Sequence, residues 1–177
     1  MKVFVGTSKR FYLCEQMIRN SINRNTKGPV DLIFISPESL NLPETGCTGF
    51  TNLRYIVPHL SSGFAVYLDV DMIVLGDLFD LYSYRQKGGW SVICDGSDEV
   101  AVIDCDANKH MPQNVCDYHK SELKPMAVQT PIIPLSWNSK DKVESDTKIL
   151  HFTDLKHQPW FAEHPNEEAV KIYENYR

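Results

Sequence analysis

The stretch Ala65-Val66-Tyr67-Leu68-Asp69-Val70-Asp71-Met72-Ile73-Val74 decides how this chain is read. Phe64 to Leu68 is a continuous apolar run of strand length, and Met72 to Leu75 is apolar again. Two acids embedded between such runs would cost several kcal/mol each if buried and unpaired, so the fold has to bring a cation or hydrogen-bond donors to them. If the chain stays extended, the two-residue period places Asp69 and Asp71 on one side at the C-terminal end of a strand. In open α/β sheets, ligands sit at that end. Carboxylate oxygens are hard ligands suited to Mg²⁺ or Mn²⁺, and an added imidazole tilts the choice towards Mn²⁺. The plainer alternative is that the two acids cap a turn or pair with a surface lysine, because Asp-x-Asp is a short pattern. The apolar flanks on both sides weigh against it.

Upstream, Val3 to Val5 is a short β-branched and aromatic run ending at Gly6, and Leu32 to Ile35 is a second apolar strand. Between them Cys14, Met17, Ile18, Ser21 and Ile22 recur at helical spacing, and Asn25 to Pro29 breaks the helix. Two buried strands joined through a helix predict a parallel βαβ unit. Ser36 to Gly49 reads as loop, and Phe50 to Leu60 as a short helix or turn closed by Pro58. Downstream, Ser91 to Cys94 and Val100 to Ile103 are strands, and 106–138 is irregular with a short helix near Gln113 to Leu123. Lys148 to Phe152 is the last strand. Ala169, Ile172, Tyr173 and Tyr176 form the stripe of a C-terminal helix capped near Asn166. There is no internal repeat, so residues 1–177 are expected to form a single α/β domain.

Composition excludes other classes. In 177 residues, 18 Lys+Arg against 23 Asp+Glu give a net charge of -5, a field that repels a nucleic-acid backbone. The longest apolar run is far short of the roughly 18 residues that a membrane span needs, and 1–11 has no export-signal pattern, so no transmembrane segment is expected. Cys14, Cys47, Cys94, Cys105 and Cys116 are odd in number and lack a C-x-x-C pair, which predicts reduced thiols in a cytoplasmic protein.

Further candidates lie apart in sequence. His151 ends the strand-like Ile149-Leu150 and is followed five residues later by Lys156. A ligand and a cation on one loop suit a metal-bound phosphate leaving group, although a histidine at a strand end is also a common structural feature. Arg10 and Arg54 each lie next to an element bordering the same sheet end. A solvated surface role is the alternative for both.

In order and spacing, Phe50-Thr51-Asn52-Leu53-Arg54-Tyr55-Ile56-Val57-Pro58, then Val66 to Val74, then Leu150-His151-Phe152 resemble the glycosyltransferase family 8 group and its relatives of GT-A fold. The glycogenin-like and bacterial lipopolysaccharide galactosyltransferases belong there, and the resemblance runs from Val3-Phe4-Val5-Gly6 to Pro159-Trp160. It implies a mostly parallel mixed sheet flanked by helices and a nucleotide-sugar donor, usually a UDP-sugar. It also implies transfer to a sugar, lipid or protein acceptor with retention of anomeric configuration. By the same resemblance Asp69, Asp71 and His151 would bind Mn²⁺ or Mg²⁺, and Gly6, Thr7 and Ser8 would receive base and ribose. Arg10 and Arg54 would face the diphosphate or donor sugar, Lys156 would bind phosphate, and Asp95 would line the donor-sugar pocket. Acids stand at Ser97-Asp98-Glu99-Val100 where the family has an Asn-rich motif, and a Gly-Asp-Gln segment is missing between Asp106 and Asn138. The resemblance implies a near-minimal GT-A domain over residues 1–177.

Two rivals follow. A phosphatase of the haloacid dehalogenase type also places Asp-x-Asp after an apolar strand, but on the first strand and with a late acid pair that this chain lacks. A catalytically degenerate nucleotide-sugar-binding protein is the non-enzyme alternative.

Overall fold

A computed structural model describes residues 1–46 and 48–177, so Cys47 lies outside the described residues. The strands are β1 (Lys2–Gly6), β2 (Asp31–Ile35), β3 (Phe64–Asp69), β4 (Met72–Val74), β5 (Trp90–Ile93), β6 (Val100–Asp104), β7 (Gln129–Ile133), β8 (Ser139–Lys140) and β9 (Ile149–His151). The α-helices are α1 (Tyr12–Asn25), α2 (Val57–Leu60), α3 (Leu78–Tyr82), α4 (Lys120–Leu123) and α5 (Glu167–Tyr176). A six-stranded sheet runs β2-β1-β3-β6-β5-β7, and a second sheet runs β4-β9-β8.

The expected βαβ unit is present: β1 pairs in parallel with β2, and α1 connects them. β1 also pairs in parallel with β3, and β5 with β7, while β6 is antiparallel to both β3 and β5. The fold is therefore mixed α/β with more parallel than antiparallel pairs. The central strands β3 and β6 are buried on both faces, which is why their sequences are continuous rather than alternating.

One expectation changes in an instructive way. The chain does not stay extended through Asp71: β3 ends at Asp69, residues 70–71 bend, and β4 starts in the other sheet. The bend is held from both sides, by Val70 N donating to Gly6 O (3.1 Å) and Phe152 N donating to Asp71 O (3.0 Å). Gly6 is required here, because a Cβ at that position would lie 2.1 Å from the Tyr67 hydroxyl.

Two local differences have plain causes. Pro58 sits in the first turn of α2 instead of closing it, where its missing N–H costs nothing. β7 falls inside the stretch expected to be irregular, because Pro131 disguises it. β7 is an edge strand, which tolerates a proline.

The helix α1 buries Cys14, Met17, Ile18, Ser21 and Ile22, the face expected from their spacing, and packs on β4 and α5. β4 is the edge of its sheet, and α1 supplies what the missing neighbour strand would. Ser21 Oγ accepts from Val74 N (3.0 Å), and Asn25 Nδ2 donates to Val74 O (2.9 Å). Asn166 caps α5 as expected, accepting from Glu168 N and Ala169 N. Cys14, Cys94, Cys105 and Cys116 are free thiols. No described helix is long and apolar enough to cross a membrane.

The Ser21 contact makes a stability prediction. Ser21→Ala leaves the Val74 N–H buried without an acceptor, a loss of about 1–3 kcal/mol measurable by urea unfolding. Wild-type stability in this variant would show that the Ser21–Val74 bond does not hold the β4 edge.

Candidate functional site

The bend after β3 brings Asp69 and Asp71 to His151 at the end of β9, because Met72 of β4 pairs with His151. One carboxylate oxygen from each acid and one imidazole nitrogen lie within 4.8 Å of one another. All three residues are buried, at 7%, 4% and 4% exposure, so solvent does not satisfy their polar atoms. His151 Nε2 is 3.3 Å from Asp71 Oδ1, yet Oδ1 has no hydrogen-bond partner. Asp71 Oδ2 accepts from Gln158 Nε2 (3.3 Å), and His151 Nδ1 meets Asn138 Oδ1 (2.8 Å). A buried carboxylate oxygen without a donor, facing a second carboxylate and an imidazole, fits a divalent cation.

Arg54 forms the floor of the cleft. It sits on the helical turn Leu53–Ile56, is 2% exposed, and donates to both Asp69 oxygens (3.1 and 3.0 Å) and to Asp98 Oδ1 (2.6 Å). Tyr67, one strand repeat before Asp69 on the same side of β3, donates its hydroxyl to Asp69 Oδ1 (2.8 Å) and lies under the Arg54 guanidinium. Burial raises the Asp69 carboxyl against the opposing pull of Arg54, and the neighbouring Asp71 carboxylate adds to the rise. For His151, burial disfavours the charged form, but the adjacent Asp71 carboxylate outweighs it and the pKa is raised.

The opposite wall comes from residues 98–120. Asp98, fully buried, also accepts from Tyr55 Oη (2.6 Å) and Gln129 Nε2 (3.2 Å) and pairs with Lys120 Nζ (3.0 Å). Burial alone would raise the Asp98 carboxyl, but Arg54 and Lys120 hold it well below the usual carboxylate range. Glu99 lies 3.5 Å from Lys120 Nζ and 3.9 Å from Arg54. Thr48, Thr51, Thr153 and Leu155 complete a cleft of about 190 Å³.

The residues singled out by sequence fall into two groups. Asp69, Asp71, His151 and Arg54 line this cleft together. Gly6 ends β1 beside it and Thr7 and Ser8 follow: Gly6 touches the 70–71 bend, Thr7 Oγ1 donates to Glu15 (2.8 Å), and Ser8 Oγ donates to Thr48 O (3.0 Å). Asp95, Arg10 and Lys156 are exposed and are not in the cleft lining. Asp95 lines a separate depression with Leu135, Lys140 and Lys142, and Arg10 lies 5.6 Å from the Phe11 ring centre. Lys156 borders a surface hollow with His157 and His164.

Sequence reasoning passed over Asn138, Gln158 and Lys120, and saw Asp98 and Glu99 only as departures from a motif. Their polar neighbours in sequence are as rich in the same residue types, so only contact in space distinguishes them.

No protein-family model matches the sequence, and none of the curated proteins searched matches it. Solved structures do share the fold. The glycosyltransferase GlyE of Streptococcus pneumoniae superposes with a TM-score of 0.68 at 16% identity, over 97% of this chain and 59% of that one. The bifunctional glycosyltransferase WbbM gives a TM-score of 0.69 at 11% identity, over 99% of this chain and 50% of that one. The galactosyltransferase LgtC, solved with donor and acceptor sugar analogues, gives 0.59 at 11% identity, over 99% of this chain and 96% of that one. This chain thus has the GT-A fold of those glycosyltransferases, and it spans about three-fifths of the length of GlyE.

The Asp98 contacts generate a prediction with a pH signature. Asp98→Asn removes a charge from buried Arg54 and costs about 3–5 kcal/mol at pH 7. Because the folded-state pKa is depressed, this stabilisation is present above the unfolded value of about 3.9 and is lost as pH falls below it. The difference in unfolding free energy between wild type and variant, from urea curves at pH 7 and pH 3, should therefore shrink at the lower pH. A difference independent of pH would show that Asp98 is not held ionised by its partners.

Proposed function

We propose that this chain is a metal-dependent, retaining glycosyltransferase domain over residues 1–177 that moves a sugar from a UDP-sugar to an acceptor. The observation that carries the proposal is the Asp69–Asp71–His151 cluster with its orphaned Asp71 oxygen, placed at the C-terminal end of β3 in a GT-A fold. GlyE, WbbM and LgtC, which share that fold, are glycosyltransferases.

In transfer, the bond from the sugar's anomeric carbon to the diphosphate breaks and one to an acceptor hydroxyl forms, leaving charge on the departing diphosphate. A bound Mn²⁺ would neutralise that charge as a Lewis acid. Asp69, Asp71 and His151 would hold it, the imidazole favouring Mn²⁺ over Mg²⁺. Arg54 keeps the buried Asp69 paired, and Lys120 presents a second positive charge at the cleft wall. Gly6, Thr7 and Ser8 would receive the base and ribose, with Arg10 and Lys156 approaching the phosphates from the rim and Asp95 the sugar.

One observation favours the degenerate nucleotide-sugar-binding alternative: both terminal nitrogens of Arg54 are already engaged by Asp69 and Asp98. A single assay separates the two. With Mn²⁺ and a panel of UDP-sugars, UDP release should be seen, should stop on chelation, and should fall by about 10²-fold or more in Asp71→Asn. UDP binding without turnover for any donor would establish the binding protein instead, and turnover that survives both chelation and the substitution would remove the metal.

A further inference from the structure

A line of side chains, half-buried Glu99 and buried Asn138, ends on His151. Asn138 closes the helical turn Leu135–Asn138, immediately before β8, which lies alongside β9 and thus beside His151. It is 4% exposed. Its Oδ1 is 2.8 Å from His151 Nδ1, and its Nδ2 is 3.4 Å from Glu99 Oε2.

The direction of this line follows from chemistry. Glu99 lies within 3.9 Å of Arg54, Lys120 and Lys140, a setting that favours a carboxylate, and a carboxylate only accepts hydrogen bonds. It therefore takes the NH₂ end of the Asn138 amide, since the amide oxygen in that place would face a negative charge. The amide oxygen is then turned towards His151, where it too can only accept, so the hydrogen of a neutral imidazole resides on Nδ1. Nε2 is left with its lone pair directed at the acid cluster. Nε2 and Asp71 Oδ1 then face each other with lone pairs at 3.3 Å, an arrangement that a cation between them would relieve.

We propose that Glu99 and Asn138 form a positioning relay that fixes His151 as the Nδ1–H tautomer, so that Nε2 is available to a divalent cation shared with Asp69 and Asp71. The relay rests on the metal-site proposal above. Without it, the neutral ring would place its hydrogen on Nε2, donate it to Asp71 Oδ1, and be lost as a ligand. Neither Glu99 nor Asn138 touches the cation; both act through His151.

Two measurements on the full chain test it. In the first, Mn²⁺ is titrated and free Mn²⁺ is followed by electron paramagnetic resonance. Asn138→Ala should raise the Kd about 10–100-fold. The exchange variant Asn138→Asp/Glu99→Gln keeps an acceptor facing His151 and a donor behind it, and it should return the Kd to within about threefold of wild type. A Kd unchanged in Asn138→Ala, or an exchange variant as weak as Asn138→Ala, overturns the relay. The second measurement needs no metal: ¹⁵N shifts of His151, at a pH high enough for a neutral ring, should report Nδ1–H in the wild type and lose that preference in Asn138→Ala. A wild-type ring protonated on Nε2 overturns the relay whatever the metal does. A wild type that holds the Nδ1–H tautomer but takes up no Mn²⁺ supports the relay's hydrogen-bond chemistry and overturns the metal-site proposal on which its use depends.

Discussion

A guanidinium buried between two carboxylates organises this molecule. Arg54 comes from a helical turn, Asp69 from the end of β3, and Asp98 from just before β6. β3 and β6 are antiparallel neighbours, so the end of one lies beside the start of the other. An arginine reaching between them closes this end of the central strands with charge rather than with apolar contact. None of the three charges would be tolerated alone at that depth. The phenols of Tyr67 and Tyr55, which donate to Asp69 and Asp98, bring the pairing close to full hydrogen-bond satisfaction. Arg54 Nε is the exception, buried without a partner.

The same arrangement sets the electrostatics of the cleft. Its lining carries three carboxylates, Asp69, Asp71 and Glu99, against two fixed cations, Arg54 and Lys120. Such a surface favours a cation over a free anion. The whole-chain charge of -5 is no obstacle to an anionic donor, because what the donor meets is local. The cleft of about 190 Å³ is smaller than the roughly 300 Å³ at which small-molecule sites begin. On the proposed function it would hold only the metal and phosphate part of the donor, with base, ribose and sugar along the neighbouring surface.

GlyE and WbbM share the fold over nearly all of this chain, yet much of each lies outside the shared region. The strands, the Asp69–Asp71 bend and the β9 histidine all lie within the shared part.

Periodicity and residue type determined the βαβ start, the buried faces of α1 and α5, and the central strands, because burial on one or two faces leaves a local signature. They also singled out Asp69 and Asp71, since acids in an apolar run need a reason, and His151, since it ends the one apolar strand near the C-terminus. β7 was hidden because Pro131 is permitted only by its place at the sheet edge, which no local pattern records. The expected strand alternation of Asp69 and Asp71 gave way to a bend, because the second sheet pulls β4 out of line to meet β9. Tertiary structure alone decided which polar residues serve the cleft. Asp98, Glu99, Lys120, Asn138 and Gln158 are ordinary polar residues in sequence, and they acquire their roles from partners between 13 and 87 positions away. A hydrogen bond between such distant residues is a fact about where the chain returns, and that is settled by packing of the whole sheet.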